Sequence, residues 1–151
     1  MKCQNFALDL GERTLKIIEQ YHERDDNLEE KYEVSLLINC LLGLVMLPKE
    51  KGQSYLPSKR VHELADWGLS RSKINGSKSK TVRELVEQLR GGVAHLSFDF
   101  KTDGNNQIEY VLVFDDNKVE VLAEFHVAEL HPFLSNLYSE WRENYKKYSK
   151  H

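Results

Sequence analysis

Cysteine is scarce: the 151 residues hold two, Cys3 and Cys40. Two thiols cannot build a disulfide framework, and their separation matches no metal-ligand spacing. A reducing, cytoplasmic location is therefore expected. Three prolines and eight glycines exclude collagen-like and low-complexity chains. No apolar run is long enough to cross a membrane. The one long run, Val34 to Leu47, would span roughly 21 Å as a helix, against a hydrocarbon core of ~30 Å. It reads as a buried helix, and no membrane partner is expected. The opening Met-Lys-Cys-Gln-Asn-Phe lacks an apolar stretch followed by small residues, so secretion is not expected either.

The common catalytic signatures are missing too. There is no glycine-flanked serine, no phosphate-binding P-loop, no dinucleotide glycine fingerprint and no His-Glu-x-x-His helix. His22, His62 and His151 have no partner that spacing can name. His126 and His131 lie five residues apart, about 140° around a helix, and make no metal pair. These five read as ordinary surface or boundary histidines, and neither a metal nor another cofactor is expected.

What is present fits one soluble globular domain over residues 1–151, with 40% hydrophobic and 30% charged side chains. The net charge of −3 argues against a protein that coats nucleic acid, but it is unevenly spread. Residues 58–90 carry 8 basic and 4 acidic side chains, between two acidic flanks. Arg71, Lys73, Lys78, Lys80 and Arg83 in this stretch are candidates for salt-dependent RNA contacts.

Apolar spacing predicts a first helix from Phe6 to about Arg24 and a very apolar second one from Glu29 to Leu47, stopped by Pro48. Val34, Leu37, Leu41, Leu44 and Val45 should be its buried face. Pro57 leads into a short helix ending at Trp67-Gly68. Residues 70–80, rich in Ser, Gly and Lys, read as a mobile surface loop. Thr81-Val-Arg-Glu84 forms a capping box for the next helix, whose apolar face holds Val82, Leu85, Val86, Leu89 and Val93. After Gly91-Gly92 the period changes to two. Strands are expected over Leu96–Phe100, Ile108–Phe114 and Val119–Phe125, with turns at Asp103-Gly104 and Asp115-Asp116-Asn117. An amphipathic helix closes the chain from Val127, with Pro132 in its first turn or at a kink. The expected class is α+β, mainly α: a helical bundle with a small antiparallel β-meander before the C-terminal helix.

One pattern carries chemistry. Arg90-Gly91-Gly92-Val93-Ala94-His95 places an arginine and a histidine around four residues at the end of a well-formed helix. Arginine offers a planar fork of donors that fits phosphate oxygens. Histidine exchanges protons near neutral pH. The pair suits RNA cleavage by the 2′-hydroxyl, but one histidine cannot supply both proton roles. Either Gly91-Gly92 breaks the helix and turns the two side chains together, or a second copy completes the site. The plain alternative pairs Arg90 with Glu87 and leaves His95 to cap a turn.

The motif and its setting resemble the HEPN superfamily, whose nuclease members carry an Arg-x(4–6)-His signature late in an all-α domain. The resemblance spans most of the chain, and the meander looks like an elaboration found in a bacterial and plasmid-borne branch. It implies a homodimer whose motifs face each other and cut RNA without a metal ion, as a toxin or defence effector with a cognate antitoxin. Arg90 and His95 are the positions that match. Gly91 stands where active members usually have a polar residue, often asparagine. The alternative is a non-catalytic HEPN-fold module that binds RNA or a partner protein. Gly91-Gly92, with no side chain to obstruct a partner, also suits close approach of a second copy.

Overall fold

The computed structural model describes residues 6–23 and 55–148, together with Ser35, Leu36, Asn39, Cys40 and Gly43. Helix α1 is Phe6–Glu23, and its buried anchor is Ile18, while Leu10 and Ile17 are exposed. The five described residues of the apolar run are helical. Cys40 is buried and Leu36 half-buried, against exposed Ser35, Asn39 and Gly43. The expected burial of Val34, Leu37, Leu41, Leu44 and Val45 falls outside the described residues.

From residue 55 the chain is continuous. A 3-10 helix, Val61–Trp67, buries Leu64 and Trp67. Strand β1 is Lys73–Ile74, α2 is Val82–Ala94, β2 is Phe98–Thr102, β3 is Ile108–Phe114, β4 is Val121–His126 and α3 is Val127–Tyr148. The strands form one antiparallel sheet in the order β1-β4-β3-β2. One face of it packs on the helices. Val111, Val113, Ala123 and Phe125 lie there with Leu85 and Leu89 of α2 and Phe133 and Leu134 of α3 in a single core cluster. Tyr110, Leu112, Glu124 and His126, set by the register, occupy the opposite face.

This corrects the expected class. The molecule is a mixed α+β structure with a four-stranded sheet at its centre, and not a mainly helical bundle with a small appendage. The missing strand came from residues 70–80. Lys73 and Ile74 pair with Glu124 and Ala123, the Asn75 N–H donates to the Leu122 carbonyl at 2.9 Å, and Ser79 is buried. Two residues are too few to show a period, so backbone pairing alone makes this edge strand. Of the two places expected for Pro132, the first turn is excluded: it lies inside α3, past that turn, where it removes the bond to the Ala128 carbonyl.

Glu129 ties the basic segment down. In the first turn of α3, its buried carboxylate accepts from the Arg71 N–H (2.8 Å), the Ser72 N–H (2.9 Å), the Ser72 hydroxyl (2.6 Å) and the Ser70 hydroxyl (3.1 Å). Burial alone would raise its pKa. The hydrogen bonds from Ser72, Arg71 and Ser70 outweigh burial and hold it below the ordinary 4.5.

Helix α2 reaches the sheet through Gly92. A Cβ there would lie 2.5 Å from the Phe114 carbonyl oxygen and 2.8 Å from Val113 Cγ1. A Cβ at Gly91 would meet only the end of the exposed Asp116 side chain, at 2.8 Å. The close approach to β3 thus accounts for Gly92 within one chain.

Two stability measurements follow. Gly92→Ala should lower unfolding stability by about 1–3 kcal/mol, because strand backbone blocks the new methyl. Gly91→Ala should raise it by at most about 1 kcal/mol through helix propensity. Equal losses in urea unfolding would contradict this packing. Because the folded pKa of Glu129 is depressed, its contribution is complete above pH 4.5 and fades as pH falls through the folded value. Glu129→Gln should cost about 2 kcal/mol at neutral pH and flatten stability against pH below 4.5. An unchanged acid limb in the variant would remove this role.

Candidate functional site

The motif sits where α2 ends. The helix runs straight through Gly91-Gly92 to Ala94, so the glycines do not break it. The His95 N–H still donates to the Gly91 carbonyl at 3.2 Å, and the Ser97 N–H closes the end on the Gly92 carbonyl at 2.7 Å. Leu96 adopts φ 52°, a left-handed conformation costly for a leucine, and is exposed. This is the helix-terminating arrangement in which a bond spans the last six positions. Leu96 therefore ends a helix, and does not begin β2 as the alternation suggested.

Regular helix geometry up to His95 turns Arg90 and His95 about 140° apart. Within one chain they diverge. Arg90 is half-buried on the border of the apolar face. Among the described residues it has no hydrogen bond and no ion pair, with Glu87 or any other side chain. His95 is 62% exposed, and its Nε2 lies 4.0 Å from Oδ1 of Asp116. Asp116 belongs to the β3–β4 turn and also overhangs Gly91. No spacing rule could join these groups, since only the docking of α2 on β3 brings that turn to the motif. What the end of α2 offers is an unengaged guanidinium and an accessible imidazole that a carboxylate can orient.

The five basic candidates do not form one patch. Lys78 is bound to Glu120 at 2.6 Å, near the β3–β4 turn. Arg83 turns inward, where its Nη2 donates to the Leu56 carbonyl at 3.0 Å, so it holds the fold together. Lys80 is exposed beside the capping box, where Glu84 accepts from the Lys80 and Thr81 N–H groups. Lys73 is exposed on β1 across from Glu124. Arg71 stands at the other end of the sheet, with Nη1 3.2 Å from Nε2 of His126. That histidine is buried at the β4–α3 junction, and is not the ordinary surface or boundary residue that its spacing suggests. Its place directly between a strand and a helix was the available signal.

Among the described residues, no three of His, Cys, Asp and Glu are grouped to hold a metal ion, and no helix is long and apolar enough to cross a membrane. No curated protein and no solved structure matches the chain. Residues 1–149 match the family model described as HEPN pEK499 p136. With that match over nearly its whole length, the chain belongs to the HEPN pEK499 p136 family and so to the HEPN superfamily.

Proposed function

We propose that this HEPN protein is a metal-independent endoribonuclease with a composite site formed by two copies of the chain. The observation that carries this reading is the end of α2. An arginine with no partner among the described residues and an exposed histidine stand there at the family spacing, yet they point about 140° apart. A two-fold axis near this helix end would bring two arginines and two histidines to one cleft.

The chemistry follows from these groups. One His95 imidazole removes the proton of the RNA 2′-hydroxyl, whose oxygen attacks the adjacent phosphorus. The bond from phosphorus to the 5′-oxygen breaks, and the second His95, protonated, delivers a proton to that oxygen. The products are a 2′,3′-cyclic phosphate and a 5′-hydroxyl. Arg90 stabilises the charge that develops on the phosphorane oxygens. Asp116 holds each imidazole in orientation and is a positioning residue. The biological setting of a toxin or defence effector with a cognate antitoxin belongs to the same proposal.

One observation favours a second reading, a non-catalytic module that binds RNA or a partner protein. The Asp116 carboxylate stands beside both Gly91 and His95, where it repels a phosphate. In that case Asp116→Asn should strengthen RNA binding in low salt with no turnover.

RNA incubated with the pure protein in EDTA should be cut to cyclic-phosphate ends. His95→Ala should abolish this, and Arg90→Ala should slow it by about 10²–10³-fold. Light scattering should show a dimer. Intact RNA across many sequences, or cleavage that survives His95→Ala, would overturn the nuclease reading.

A further inference from the structure

The end of α2 carries two costs that no contact among the described residues offsets. Leu96 ends the helix at φ 52°, a backbone conformation that glycine adopts freely and a leucine does not. Helix ends of this kind usually place glycine or asparagine there. The leucine side chain is also 70% exposed. A singly exposed leucine is ordinary on a protein surface. An exposed leucine that also holds a strained backbone is not, and such residues gather at functional places. Close by stands Val119, 76% exposed. These two are the most exposed large apolar side chains among the described residues.

Backbone pairing sets them side by side. The Phe114 N–H donates to the Ser97 carbonyl at 2.8 Å, so Leu96 stands next to Asp115, one step further along the β2–β3 register. Asp115 is bound to the other arm of the β3–β4 turn. Its N–H donates to the Glu120 carbonyl at 3.0 Å, and its Oδ1 accepts from the Val119 N–H at 2.9 Å. Leu96 and Val119 are therefore two strand spacings apart, about 10 Å. Both adjoin the motif: His95 precedes Leu96, and Asp116, 4.0 Å from the His95 imidazole, shares the turn with Val119.

We propose that Leu96 and Val119 are the seat of a second copy of this chain, packing on the same two residues of that copy across a two-fold axis beside the motif. The inference rests on the composite-site reading and names the contact that holds the two motifs together. Burial against a partner offsets both costs at Leu96, since the side chain leaves water and the strained turn is what aims it outward. RNA fits this patch poorly. Leucine and valine offer no flat π face on which a base could stack. The turn over residues 115–120 carries three carboxylates and one lysine, which repels a phosphate backbone. The same turn attracts the guanidinium of Arg90 on a second copy, a group without a partner among the described residues.

The test reads the contact and the chemistry separately, in the full chain. Sedimentation equilibrium should show a wild-type dimer. Leu96→Gly should raise its dissociation constant by about 10²-fold, because the axis removes two leucines from the interface at once. Glycine suits φ 52°, so this variant folds, and an unchanged circular dichroism spectrum checks it. Val119→Ser should weaken the dimer by about tenfold. In dimers mixed from ¹³C-labelled and unlabelled chains, isotope-filtered NOEs should join the Leu96 methyls to Leu96 or Val119 methyls of the other copy. A dimer with these contacts that never cuts RNA removes the nuclease reading and supports this interface. A dimer that cuts RNA, lacks these NOEs and dissociates as before in Leu96→Gly overturns the interface and leaves the nuclease standing. A wild-type monomer at micromolar concentration would overturn it. So would Leu96 methyls that shift on adding an uncleavable 2′-O-methyl oligonucleotide yet show no NOE to a second copy.

Discussion

The contact of Gly92 with the Phe114 carbonyl sets the position of everything at the motif end of the molecule. A helix carries side chains that normally hold a neighbouring strand about 10 Å from its axis. Removing one side chain lets backbone approach backbone, and α2 settles onto the last residues of β3. Leu85, Val86 and Leu89 on the same helix then reach Val113 and Phe125 in the shared core. The turn after β3 is carried over the end of the helix. Asp116 arrives beside His95 by this route alone. Arg90, one position past Leu89, is left on the border of the buried face, with no partner among the described residues.

The other end of the sheet is organised by a different constraint. There β4 passes directly into α3 without a loop, and the first N–H groups of the helix need acceptors. His126 supplies one to Ala128. Glu129, in the same first turn, reaches away from its own helix to satisfy the 70–72 segment. A single junction thus secures the edge strand and brings Arg71 to His126. The basic stretch, continuous in sequence, is divided between this junction, the Lys78–Glu120 pair near the opposite end, and Arg83 bound inside. Linear charge density is a poor guide to a charged surface when the segment crosses a whole sheet.

Local patterns were legible wherever the physics is local. The Thr81–Glu84 capping box is present, with the Glu84 N–H 3.3 Å from the Thr81 hydroxyl and Glu84 accepting from the Thr81 N–H at 3.3 Å. Ile108–Phe114 forms the strand its alternation announced, and the asparagine- and aspartate-rich turns lie where their side chains accept from nearby N–H groups. The family resemblance, carried by Arg90 and His95, is confirmed by the match over residues 1–149. The failures are all tertiary. Residues 73–74 are a strand only because β4 has a free edge, and this changed the class from a mainly helical bundle to a mixed α+β fold. Gly91-Gly92 suggested a helix break, while the helix runs on through both and Gly92 seats it on its own sheet. His126 and Asp116 carry no signal at any fixed spacing, because their partners lie 55 and 21 residues away.

A site shared between two chains differs from a site within one chain in a way that mixed dimers expose. Wild-type and His95→Ala chains can be unfolded together, refolded and purified as a heterodimer. A common cleft then holds one histidine where the reaction needs two, so the heterodimer should be as inactive as the His95→Ala homodimer. A heterodimer that keeps about half of the wild-type activity would contradict the composite site.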